Sequence, residues 1–146
     1  MLREPLLYCS LYFKQHRQRY YSELNAVRDT GDFARWIEFF ATAIRVSAEQ
    51  ATTTGRRVIG VFQEDRGQLR ELGRLAPSSL LVQEALQSKP LATVAALAKT
   101  TQLTTPTVTL ALRELERLGI VQETTGRVRG KIYSYVRFLK ALEMDV

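Results

Sequence analysis

"TTPTVTLALRELERLGIV", residues 104–121, is the stretch whose reading decides the fold. It opens as four threonines around a proline and ends as a leucine-spaced helix that stops at a glycine. Threonine loses rotamer freedom against the preceding helical turn and is a poor helix former, so four of them at the head of one helix call for another cause. Thr104 or Thr105 serves as a cap, and Pro106 sits in the first turn, where its missing amide proton costs nothing. Val108, Ala111, Leu112, Leu115 and Leu118 form the buried stripe, and Gly119 closes the helix. Thr105, Thr107, Thr109 and Arg113 lie off that stripe near the amino-terminal end. A recognition helix presents these positions to the major groove of DNA, where a threonine hydroxyl bonds phosphates or base edges and its methyl packs on thymine.

The flanking sequence completes a motif. "SSLLVQEALQSKP" predicts a helix with Leu80, Leu81, Ala85 and Leu86 facing inward, ended by Pro90. Thr93 is a natural N-cap for a following short helix whose Val94, Leu97 and Ala98 form its core face. Leu103 packs at the tight turn before the threonine-rich helix, which makes the pair a helix-turn-helix. After Gly119, Ile120–Gln122 and Ile132–Val136 are β-prone segments around "TGRVRGK". A hairpin in this place is the wing of a winged helix, and its tip carries Arg127, Arg129 and Lys131, suited to phosphates or a minor groove. "RFLKALEM" predicts a short closing helix or a dimer contact. Glu114, Glu116 and Glu123 dilute the basic surface.

The chain has 146 residues, 45% of them hydrophobic, enough for one ordinary domain or two small ones. The net charge is +6, yet a split before residue 77 leaves +3 on each side, so bulk charge singles out neither half. No stretch is apolar enough to span a bilayer, and Glu4 and Pro5 interrupt the opening, which predicts a cytoplasmic protein. Cys9 is the only cysteine, so neither an internal disulfide nor a thiolate metal cluster is expected. His16, in "FKQHRQRYY", reads as a solvated histidine. No nucleophile motif and no Gly-rich phosphate loop occurs, and no catalytic residue, metal or cofactor is assigned.

The first half reads as helices, with Leu24, Val27, Trp36, Ile37, Phe39, Phe40, Ile44 and Val46 spaced for packing. "DTGD" breaks the pattern, and Asp32 can cap the next helix. From Ala51 through Gly55, Val58, Phe62, Asp65, Leu69 and Leu72 the spacing is that of a helix seam, weakened by Gly55, Gly60 and Asp65, which predicts a bent or interrupted long helix. "LGRLAPSS", residues 72–79, has the composition of a linker followed by an N-cap.

"LREPLLYCSLYFKQHRQRYYSELNAVRDTGDFARWIEFFATAI" resembles the helical tail of Fic-domain proteins, the segment after their catalytic motif. The remainder resembles the carboxy-terminal winged helix found in many of them. The resemblance implies a Fic-like protein represented from just after its active site. The family's HPFxDGNGR loop, which binds nucleotide phosphates and supplies the histidine base for AMP transfer to a protein hydroxyl, does not occur in this chain. It further implies apolar surface at Leu6, Leu7, Tyr8, Leu11 and Tyr12, where the missing part would pack.

The sequence thus predicts a mainly α protein: a helical bundle segment over 1–76, then a winged helix-turn-helix domain over 77–146 with a small β-hairpin wing. The expected function is DNA binding by a regulator-like fragment of a Fic-family protein, as a homodimer through the amino-terminal helices. Thr93, Thr104, Thr105, Thr107, Thr109, Arg113, Arg127, Arg129 and Lys131 are the candidate DNA contacts. The alternatives are a scaffold or substrate-recruiting part of an AMP-transferase, and a winged helix that holds a protein target.

Overall fold

The computed structural model describes residues 9–143, which leaves Leu6, Leu7 and Tyr8 outside the described residues. The chain divides into two compact units between Gly55 and Arg56. That division lies upstream of the 72–79 stretch, for a reason visible in the second unit: the carboxy-terminal turns of the long helix supply Phe62 and Leu69 to the same core as everything that follows. The 72–79 stretch is a bend within that unit, built on Gly73 at φ 57° and a single 3-10 turn, Gly73–Leu75.

In the first unit, α1 (Cys9–Gln15) and α2 (Arg17–Thr30) precede the long α3 (Phe33–Arg70). Gly31, at φ 70°, ends α2 with its amide on the Val27 carbonyl, and the Ala34 amide donates to Asp32 Oδ1 at 3.0 Å, so "DTGD" closes one helix and caps the next as expected. The core is aromatic. Phe39 and Ala43 are fully buried beside Tyr12, with Phe13, Tyr20, Trp36 and Val46 packed on them. Glu23 is buried and ion-paired to Arg35 across the α2–α3 contact at 3.2 Å. Two expectations fail here. Tyr12 is buried, because it stacks on His16 at 4.1 Å and packs against Phe39, and Leu11 is half-buried. Ile37, Phe40 and Ile44 are exposed, because the face of α3 turned to the core is the one through Phe39 and Ala43.

The second unit adds α4 (Ala76–Ser88), β1 (Leu91–Thr93), α5 (Val94–Thr101), α6 (Thr105–Arg117), β2 (Gln122–Glu123), β3 (Ile132–Ser134) and α7 (Val136–Glu143) to the end of α3. The strands form an antiparallel sheet in the order β1-β3-β2, with Ala92 opposite Tyr133 and Glu123 opposite Tyr133 on the other side. β1 was not expected: three residues after Pro90, the last of them the helix cap Thr93, are too few to show alternation. Val82, Leu86, Leu97, Val108, Ala111, Leu112, Leu115 and Ile120 fill the core between α4, α5 and α6. Each large aliphatic side chain buried there contributes about 1.5–3 kcal/mol. On α4 the inward face is Ser79, Val82, Gln83 and Leu86, and Leu81 points to solvent; the helix starts at Ala76, ahead of the serines, which are not its N-cap.

Asp65, read from the sequence as a flaw in a helix seam, is fully buried. The Tyr135 hydroxyl donates to its Oδ2 at 2.7 Å, Arg137 Nη1 donates to its Oδ1, and Gln83 Nε2 donates to the Tyr135 oxygen at 3.1 Å. Arg137 also reaches Glu64 at 2.7 Å. These bonds join α3, α4 and the β3–α7 junction, and α7 closes the unit with Phe138 edge-on to Phe62. No helix among the described residues is long and apolar enough to cross a membrane.

Asp65→Ala leaves the buried Tyr135 hydroxyl without its acceptor and the Arg137 guanidinium with Glu64 alone, and urea titration should show a loss of about 1–3 kcal/mol. Burial outweighs the stabilising bonds and holds the Asp65 carboxyl above its ordinary pKa. The folded protein therefore gains protons over the unfolded chain as pH falls through that raised value. Measured against Asp65→Asn, the wild type should gain stability as pH falls, until the unfolded value of about 3.9 is reached.

Candidate nucleic-acid interface

The candidate contacts group on α5, α6 and the β2–β3 hairpin. Thr93 caps α5, its Oγ1 accepting from the Ala96 amide at 3.2 Å. Three residues then connect α5 to α6, with Gln102 in the left-handed region at φ 57°. Thr104 is the cap of α6: its Oγ1 accepts from the Thr107 amide at 3.4 Å and shares a hydrogen bond with the Thr107 hydroxyl at 2.8 Å. The Thr109 hydroxyl donates back to the Thr105 carbonyl at 2.8 Å. Local structure thus engages the hydroxyls of Thr93, Thr104, Thr107 and Thr109. Thr105 and Arg113 are exposed, and Arg113 lies near enough to Tyr133 to act on its hydroxyl electrostatically.

The far end of α6 is a Schellman closure. The Gly119 amide bonds the Glu116 carbonyl at 2.9 Å, and the Ile120 amide bonds the Leu115 carbonyl at 2.9 Å. Gly119 takes φ 69°, a conformation that residues with a Cβ rarely adopt, and Ile120 is fully buried. This turn delivers the chain from α6 straight into β2.

Glu116 and Glu123, which the sequence presented as dilution of a basic surface, organise the hairpin. Glu116 Oε1 accepts from the Glu123 amide at 3.1 Å, joining α6 to the root of β2. The Glu123 carboxylate in turn accepts from the Thr125 amide at 2.7 Å, the Thr125 hydroxyl and the Gly126 amide at 3.1 Å. These bonds hold its pKa below the ordinary value, with Lys131 contributing from nearby. Glu114 is occupied by Arg117 at 2.9 Å. All three carboxylates are therefore engaged locally.

The loop they hold is bounded by Gly126 and Gly130, both at positive φ, at 62° and 68°. Arg127 and Arg129 are exposed in it without carboxylate partners among the described residues, Lys131 is exposed near the Glu123 carboxylate, and Val128 is 94% exposed between the arginines. The division at Gly55 also redistributes the charge: the first unit has seven basic and six acidic residues, the second fourteen and nine, which gives +1 and +5. Positive charge gathers in the unit that carries the hairpin. The sequence had the basic residues, but not Glu116 and Glu123 as their supports; the one available signal was Glu123 two residues ahead of a Thr-Gly turn.

The depressed Glu123 pKa means that its clamp is fully present above the unfolded value, about 4.3, and is lost as pH falls through the lower folded value. In NMR titrations the Thr125 and Gly126 amide resonances should move together in that acid range, and Glu123→Gln should abolish the shift.

No protein-family model matches the chain, and no curated protein matches it.

Proposed function

We propose that the second unit is a winged helix-turn-helix that binds duplex DNA, with α6 as the recognition helix and the β2–β3 hairpin as the wing. The observation that carries this reading is the exposed triad Arg127, Arg129 and Lys131 on a loop that the protein's own carboxylates hold in shape. Phosphate oxygens are the acceptors such a triad fits, and they confer affinity without sequence choice. Choice falls to Thr105 and Arg113 on the solvent side of α6, with the half-buried Thr107 beside them, its hydroxyl shared with Thr104; Thr93 and Thr104, at helix starts, offer phosphates the amide ends of α5 and α6. The +5 charge of this unit supports a polyanion partner. The first unit, whose sequence resembles the helical tail of Fic-domain proteins, is then a support for the reader, and the chain's role is binding rather than AMP transfer.

Fluorescence anisotropy with random duplex DNA tests the proposal. Affinity should fall steeply as salt rises. Changing Arg127, Arg129 and Lys131 together to alanine should lower the slope of log K against log salt by about 0.9 for each phosphate no longer neutralised. Absence of binding at low salt would overturn the reading and favour a protein target. In a binding-site selection, Arg113→Ala should relax preference at one base position, equivalent to about 1–3 kcal/mol of discrimination. Unchanged selectivity would remove Arg113 from base reading.

A further inference from the structure

Four large apolar side chains of α3 in the first unit keep a substantial part of their surface in solvent: Phe33 at 59% exposure, Ile37 at 62%, Phe40 at 41%, its inner side against Phe13 and Trp36, and Ile44 at 40%. Their 4-3-4 spacing places them on one face of the helix. The unit's own core takes a different face of the same turns, through Phe39 and Ala43. Single exposed apolar residues are ordinary; a contiguous stripe of four is the mark of an interaction surface.

We infer that the occupant of this stripe is the same stripe of a second copy, with the two α3 helices antiparallel about a two-fold axis. The interval pattern reads 4-3-4 from either end, so reversal of the helix maps the stripe onto itself. Antiparallel pairing sets Phe33 against Ile44 of the second copy and Ile37 against its Phe40, so that every level joins one aromatic ring to one branched aliphatic chain. Such self-complementarity is what a two-fold interface requires. The stripe has no ionisable group, and helical periodicity borders it with Ala34, Ala41 and Ala48, small enough for close approach. Charge points the same way: two copies of a basic chain repel least through the unit that carries only +1.

Sedimentation velocity on the full chain should give a concentration-dependent species of twice the chain mass. Joint replacement Ile37→Glu and Ile44→Glu should weaken that association about 100-fold or more, through carboxylates buried without partners, while Ile59→Glu, an exposed apolar position in the second unit, should leave it unchanged. A monomer at every concentration overturns the inference, as does a dimer indifferent to the double change. Disulfide trapping covers the case in which the glutamates impair folding. In a Cys9→Ser background, a mixture of Ile37→Cys and Phe40→Cys chains should oxidise mainly to the mixed pair. Predominance of the like pairs overturns the antiparallel arrangement. None of these readouts involves DNA, so the interface and the DNA reading fail or stand separately.

Discussion

The second unit depends on one buried carboxylate. Asp65 comes from the last turns of α3, yet its acceptor oxygens are taken by Tyr135 and Arg137, about half the chain away. An ionised group in that position is costly unless each lone pair is met, and the structure meets them with a hydroxyl and a guanidinium. Gln83 extends the network to α4 and on to the Phe62 carbonyl at 3.2 Å. The apolar core around Leu69, Leu86 and Leu112 is non-directional and would tolerate other registers. The Asp65 network is directional, and it specifies which turn of α3 meets the β3–α7 junction.

The same logic recurs at smaller scale in the hairpin. Short strands of two and three residues have few ladder bonds with which to set a loop. The Glu123 carboxylate supplies the missing order from beneath, and Glu116 ties that root to α6. The Schellman turn at Gly119 fixes the direction in which the chain leaves the helix. Helix, turn and hairpin thus form one mechanical piece whose acids are engaged within it and whose tip arginines face solvent.

Much of this was legible in the order of residues alone. Gly31, Asp32, Thr93, Thr104 and Gly119 announce helix ends by local chemistry, and local chemistry survives folding. The buried stripe of α6 was equally plain, because 3.6-residue periodicity needs no partner to be seen. What escaped was non-local. Asp65 looks like a defect until Tyr135 and Arg137 are brought to it, and β1 exists only because β3 returns beside it. Leu81 and Ile37 show the limit of hydrophobic spacing: a helix with apolar residues on two faces does not reveal which face its own chain will cover. For the candidate contacts, the sequence grouped the threonines as one set, whereas the hydrogen bonds divide them into caps and back-bonded residues on one side and Thr105 on the other.

The clamp beneath the hairpin separates two duties that often compete within a loop. Residues 123, 125 and 126 hold the shape, and residues 127–129 are excused from doing so, with Gly130 supplying a positive φ and Lys131 a charge near Glu123. The two arginines at the tip are therefore exchangeable at little cost to folding, since a surface position without a structural role rarely shifts stability by more than about 0.5 kcal/mol. Relatives of this chain can drift in the chemistry of the tip without first having to rebuild the loop that displays it.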